Sequence, residues 1–269
     1  MSDLLRALGI RGIEGIRDID GGIVAAIVAA IGAGGKKSLL YAIAAAAEGR
    51  VAWTATVHTP KPPARTGIEI EVAPVASLLE RAAQPSAARV RAFLQPSAKT
   101  GRVAGIEADD VERLHAAGDF DLTLVKADGA RMRGIKAPRP GEPVLPPTTA
   151  RVLAVVSAAV LGRPLDERVA HHPDRIAALT GLEPGGKIAP VHFGRLFAAG
   201  EGALQGTGRK PVTVVINQVD DDERRAAAHD AARAILDAVP GLDRVVLTRL
   251  DRPLEPDRAV VEIVARGVQ

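Results

Sequence analysis

The sequence predicts an α/β fold, a mostly parallel sheet flanked by helices, on three observations. Short apolar runs that read as buried strands alternate along the chain with stretches of helical spacing. One of them, Ile23 to Ile31, empties directly into Gly32-Ala33-Gly34-Gly35-Lys36-Lys37-Ser38 and then into the apolar stretch Leu39 to Ala47, which reads as strand, glycine-rich turn and helix. With 47% hydrophobic and 25% charged residues over 269 positions, the chain can also bury a full core. One domain over residues 1–269 is expected, with a leading helix within 1–20, a basic proline-rich loop at 129–150 and a helical segment at 160–210.

The elements follow in order. Leu4, Leu5, Leu8, Ile10, Ile13 and Ile16 fall at roughly helical spacing, so residues 3–18 are expected to form a helix against the sheet. After the strand and turn, Arg50 to Val57 alternates as a second strand and stops before Pro60, Pro62 and Pro63. Gly67 to Val72 and Arg89 to Leu94 read as strands around a helix centred on Leu78. Asp109 to Ala117, with acidic residues at its start, is a helix leading into the strand Phe120 to Ala127. Beyond the basic loop come a strand at Val152 to Val156, helices at Pro173 to Leu182 and Val191 to Ala198, and a buried strand at Val212 to Ile216. A long alanine-rich helix, Asp222 to Val239, and strands at Arg244 to Leu247 and Ala259 to Val264 complete the sheet.

The glycine-rich turn carries the chemistry. Glycines permit positive φ and let a ligand approach the backbone, while the first amides of the following helix point unpaired at whatever lies above them. An anion belongs there, and a lysine directly after the glycines makes it a nucleotide polyphosphate, ATP or GTP, as in phosphate-binding P-loops. The fold is therefore expected to be P-loop NTPase-like, with Gly32, Gly34 and Gly35 presenting amides and Lys36 contacting the outer oxygens. The standard pattern G-x-x-x-x-G-K-[ST] wants a hydroxyl at 37; Lys37 stands there and Ser38 arrives one residue late. Ser38 is thus the available hydroxyl for Mg²⁺, with a competing ammonium beside it.

Composition narrows the partners. Aromatic residues make up 2%, which leaves few platforms for stacking bases and argues against a nucleic-acid binder. Net charge is only +3, so local arginines matter more than any overall field. The absence of cysteine removes thiolate chemistry. Met1 to Asp20 is mixed in charge and Ile23 to Ile31 is too short to span a bilayer, so no membrane association and a cytoplasmic location are expected.

In open α/β sheets ligands bind at the carboxyl ends of strands, so Gly32 to Ser38, Lys126 to Gly129 and Asn217 to Asp220 should converge. Asp128, at the end of an apolar strand, is placed to hold Mg²⁺ and to act with Lys36 in catalysis. Asn217 and Asp220 have the N-K-x-D spacing by which GTPases read a base, with Gln218 in the lysine slot. Lys126 and Asp128, at even spacing, point to one face as an ion pair. His171-His172, before Pro173, reads as a surface or capping feature with no third metal ligand at useful spacing.

These residues together resemble a family. The stretch Lys126 to Pro138, K-A-D-G-A-R-M-R-G-I-K-A-P, followed by Glu142-Pro143-Val144-Leu145-Pro146, is similar to the E-A-D-G, K-A-P and E-P-x-x-P of the YqeC-like accessory proteins of selenium-dependent molybdenum hydroxylases, also called selenium cofactor biosynthesis proteins. Gly32 to Lys36, Thr54 to His58, His171 and Asn217 to Asp220 fall where the family's other motifs fall. The resemblance implies a P-loop NTPase fold and a part in maturing a molybdenum and selenium hydroxylase, with that enzyme or its cofactor as partner. Lys136 and Glu142 would then shape the site of a second ligand. Lys37, Lys126 and Gln218 depart from the family's usual Thr or Ser, Glu and Lys. Losing a hydroxyl and gaining two ammoniums weakens Mg²⁺, which needs near-octahedral oxygens. Two activities therefore stand open, a nucleotide-binding protein that hydrolyses NTP and a non-hydrolysing scaffold for a phosphorylated, molybdopterin-type cofactor or a client hydroxylase; the resemblance alone adds a third, a transferase acting on the molybdenum cofactor.

Overall fold

A computed structural model of the chain describes residues 2–10, 26–251 and 255–267. Its frame is a nine-stranded sheet, and its order follows from the alternation seen in the sequence. The strands are β1 (Ala26–Gly32), β2 (Val51–Ala55), β3 (Glu69–Val72), β4 (Val90–Leu94), β5 (Leu122–Lys126), β7 (Thr149–Ser157), β9 (Val212–Asn217), β10 (Arg244–Thr248) and β11 (Val260–Ala265). A separate two-residue pair joins β6 (Ile135–Lys136) to β8 (Ala170–His171) in parallel. The sheet runs β11-β10-β9-β7-β1-β5-β2-β4-β3, and every pairing is parallel except that of β10 with β11. The expected α/β, P-loop NTPase-like architecture is the one found.

The central strands are apolar on both faces because both faces are covered. In β1, Ile27, Ala29 and Ile31 face one core, and Ala26, Val28 and Ala30 face the other. The second core holds the two N-terminal helices, α1 (Asp3–Ala7) and α2 (Lys36–Ala46), through Leu4, Leu5, Leu39, Leu40 and Ile43. Opposite lie α3 (Val75–Ala82), α4 (Ala108–Ala117), α5 (Pro173–Thr180), α6 (Pro190–Ala198) and α7 (Asp222–Ala238). Each fully buried Leu or Ile contributes roughly 1.5–3 kcal/mol, so these alternating stripes fix the register of the sheet.

Two details differ from expectation. The leading helix ends at Ala7, because Gly9 takes a φ of 68° and the N–H groups of Gly9 and Ile10 return to the carbonyls of Arg6 and Leu5, both at 3.0 Å. The rest of the expected span, residues 11–18, lies outside the described residues, as do Ile23 and its neighbours through residue 25. The basic loop is not wholly irregular either, since Ile135–Lys136 pairs with β8 inside it.

The order in which strands are added to the sheet reverses at β1. The chain leaves β1 toward β2, β4 and β3, returns to insert β5 next to β1, and then crosses to β7 on the other flank. Such a switch point opens a crevice at the strand C-termini. Among the described residues no helix is long and apolar enough to cross a membrane.

Candidate functional site

The Gly32–Ser38 turn sits in that crevice. At Gly32 φ is 88°, and a Cβ would come within 2.3 Å of the Val155 carbonyl oxygen; at Gly35 φ is 128°, and a Cβ would fall 2.1 Å from Asn217 Nδ2. Only glycine turns the chain here against β7 and β9. The turn is tied internally: Gly32 N–H donates to the Asp128 carboxylate at 3.0 Å, Ala33 N–H to Val155 O at 2.8 Å and Gly34 N–H to Arg133 O at 3.0 Å. The amides of Gly32 and Gly34 are thus engaged within the protein. Anion-binding donors are left at the start of α2, whose Gly35 end no side chain caps.

Beneath the turn lies a closed set of charges. Ala30 pairs with Lys126 across β1 and β5, so Asp128, two residues past the strand end, comes level with Gly32. Its carboxylate, 2% exposed, takes Lys36 Nζ at 2.8 Å on one oxygen and Lys136 Nζ at 2.9 Å on the other. Lys136 also reaches Glu142 Oε2 at 2.7 Å, and Lys36 donates to the Gly32 carbonyl. Two ammoniums and two carboxylates balance. Burial pushes the Asp128 carboxyl up, but Lys36 and Lys136 outweigh it and hold the group below its ordinary value. Burial likewise lowers Lys36, against the pull of Asp128.

The expected Lys126–Asp128 ion pair does not form. Strand alternation ends at Lys126, so Asp128 is free to turn toward Gly32, and Lys126 Nζ donates instead to the Asp128 backbone carbonyl at 2.8 Å. Buried and without a carboxylate partner, Lys126 is pushed down to about 7, first by burial and then by Lys36.

Above this floor opens a cleft of about 550 Å³. Lys36, Lys37 and Lys126 face it from below; Lys99 and Arg102 come from the loop after β4, and Arg131 and Arg133 from the loop after β5. Among the described residues not one carboxylate lines it. Among the described residues the side chains of Lys37, Lys99, Arg102, Arg131 and Arg133 make no ion pair, whereas Lys36 and Lys136 are fully engaged below. Burial lowers Lys37, helped by Arg102 and Arg65, which shows that like charges already crowd one another here.

The other sequence-predicted residues divide. Ser38 lines the cleft. Asn217 lies beneath the turn, 3% exposed, donating to Gly34 O at 2.9 Å and accepting from Thr248 Oγ1 at 3.1 Å. Asp220 is not brought to it: its carboxylate pairs with Arg224 at 2.7 Å on the surface. Lys136 and Glu142 stay with Asp128 behind the turn. The His171 and His172 rings lie with centroids 3.9 Å apart, tilted by 33°, and among the described residues no cluster of three metal-ligating side chains occurs. Ser38 and Asp128 do not fit a divalent cation either, because each Asp128 oxygen is held by an ammonium and Lys37 and Lys126 face the same space as Ser38. Lys99 and Arg102 went unnoticed in the sequence; their position after a strand C-terminus is the signal that could have found them.

A family model described as YqeC protein matches residues 28–174. The chain belongs to the YqeC family. A protein of Escherichia coli (strain K12), carried under the name "Uncharacterized protein YqeC", is 30% identical over 186 residues, covering 66% of this chain and 70% of that relative. The matched YqeC segment contains the turn, the Asp128 cluster and every residue of the cleft except Gln218. Asn217 and Asp220 lie beyond it.

Proposed function

We propose that this YqeC-family protein binds a nucleotide polyphosphate, ATP or GTP, in the cleft above the Gly32–Ser38 turn. The observation that carries this is the set of five cations that make no ion pair among the described residues, Lys37, Lys99, Arg102, Arg131 and Arg133, brought from three segments to one cleft that no described carboxylate lines, at an uncapped helix start. Unpaired cations crowded together raise the energy of the empty site, and a polyanion relieves that repulsion. The α2 amides and Lys37 would meet one phosphate, and Arg102, Arg131 and Arg133 the rest. Lys36 would leave Asp128 for the ligand, with Lys136 still holding that carboxylate.

The reading gives Mg²⁺ no part and carries no hydrolytic step. The doubly held Asp128 favours a scaffold over a hydrolase, since among the described residues no carboxylate is free in the cleft to hold a metal or to act as a base. In the cell such a scaffold would serve the maturation of a selenium-dependent molybdenum hydroxylase, as the sequence resemblance implies, and the phosphate held could belong to a molybdopterin-type cofactor. Calorimetric titration with ATP and GTP, with and without Mg²⁺, tests the site. Binding that persists without Mg²⁺ and weakens in Lys36→Ala and Lys37→Ala is expected; unchanged affinity in both variants rejects the assignment. Substantial Mg²⁺-dependent turnover by the unaltered chain would reject the scaffold.

A further inference from the structure

A site that selects a nucleotide by its base needs something to read the base with: a ring to stack on, or donors and acceptors matched to its edge. Among the described residues the cleft offers little of either: its one ring is the small, solvent-exposed imidazole of His58, whose stacking does not tell one base from another. The chain contains four Phe, one Tyr and one Trp. Tyr41, Trp53, Phe93, Phe120, Phe193 and Phe197 are all buried at 5% exposure or less, so none can stack on a ligand. The apolar surface the cleft offers is Pro60, Ala130 and Met132.

Hydrogen-bonding groups tell the same story. Asn217 is committed at both ends, to Gly34 and Thr248, under the turn rather than on the cleft wall. Asp220 is bound to Arg224 and also lies off the wall. Among the described residues no carboxylate lines the cleft to accept the paired N–H groups of a guanine edge. Gln218 does line the cleft, but its carbonyl accepts from Ser157, leaving the amide as a donor. A lone donor does not distinguish bases, since adenine and guanine both present N7 as acceptor. Positive charge, by contrast, is abundant, with seven Lys and Arg side chains lining the space.

We propose that the cleft recognises the polyphosphate chain itself, as its metal-free anion, and that inorganic polyphosphate is a ligand on equal terms with nucleoside triphosphates. This rests on the reading of the cleft as a polyphosphate site and narrows it to a ligand class. Lys37 and Lys126 supply the countercharge that a divalent ion would bring, so prior neutralisation of the ligand by Mg²⁺ removes what the cleft binds.

The test is titration of the full chain with inorganic tripolyphosphate, ATP and GTP, each in EDTA and in excess Mg²⁺, repeated on Arg102→Ala. Expected are affinities within about threefold of one another in EDTA, because a stacked or edge-read base would separate them by about tenfold or more. Each should weaken in Mg²⁺, and Arg102→Ala should weaken all three by one common factor. ATP or GTP tighter than tripolyphosphate by tenfold, or binding tightened by Mg²⁺, overturns the inference while leaving a nucleotide site in place. Failure of all three to bind overturns both.

Discussion

Two sets of cations meet at the Gly32–Ser38 turn, and the fold treats them in opposite ways. Below it, Lys36 and Lys136 are 5% and 3% exposed, and each is paired to a carboxylate within 3 Å. Above it, Lys37, Lys99, Arg102, Arg131 and Arg133 have no ion-pair partner among the described residues. A buried charge without a partner is costly, so the lower set had to be neutralised for the chain to fold. Lys99, Arg102 and Arg131 are exposed and Lys37 and Arg133 half-buried, so leaving them unpaired costs less than it would below, and the upper set is free to serve a ligand. Stability and binding therefore fall largely to different lysines and arginines, with Lys36, paired to Asp128 and also lining the cleft, belonging to both.

The largest effect should come from breaking the lower set. In Asp128→Asn, Lys36 and Lys136 keep their burial and lose their shared countercharge, while the Gly32 N–H still finds an oxygen. A loss of about 3–5 kcal/mol, read from urea unfolding, is expected for a broken buried pair. A loss under about 1 kcal/mol would mean that the two sets are not energetically distinct.

The upper set should respond in reverse. Arg102→Ala combined with Lys99→Ala should leave the unfolding free energy within about 0.5 kcal/mol of the parent, as surface substitutions do. Tripolyphosphate affinity should nevertheless drop by about tenfold at low salt, with the difference shrinking as salt rises toward about 0.15 M. Equal damage to stability would show that these cations hold the loop rather than the ligand.

Lys126 stands between the two sets and shows what pH should do. Its amine titrates at about 7 in the folded chain against 10.5 when unfolded. Between those values the unfolded state binds the extra proton, so stability should rise with pH across that window and lie flat below it for this group. Lys36 and Lys37, also lowered, act in the same direction. In Lys126→Met the rise should be visibly shallower by thermal unfolding at stepped pH. Polyphosphate affinity in the parent should fall as pH climbs past about 7 and Lys126 loses its charge. An unchanged stability slope in the variant would show that Lys126 is not the group titrating.

How much of this could be read from the chain differs between the sheet and the site. The apolar runs located the central strands because burial on both faces writes itself into consecutive residues, as in Ala26 to Ile31, and the half-exposed edge strands β3 and β11 by their β-branched content. The β6–β8 pair was not legible, since two residues carry no periodicity. Position relative to a strand end was legible: Gly32 and Asp128 do meet, and Asn217 does reach the turn. Orientation was not. Alternation predicted that Lys126 would face the Asp128 carboxylate, but alternation holds only inside a strand, and Asp128 lies beyond it. Lys99 and Arg102 join the cleft through bridges from Thr59 to Val103 and from Gln95 to Ala104, contacts that no local pattern announces.

The smallest effect should be at Asp220, whose spacing from Asn217 had suggested a base reader. Its carboxylate and the Arg224 guanidinium are 42% and 40% exposed at a helix start, an arrangement worth about 0.3–0.5 kcal/mol. Asp220→Ala should therefore change stability by no more than that and leave the ATP-to-GTP affinity ratio where it was. The ratio is the sharper readout, because a surface ion pair has no means of altering it. If the ratio shifts, Asp220 must swing from Arg224 to the ligand, and the cleft would then extend past Gln218 to a base-reading end.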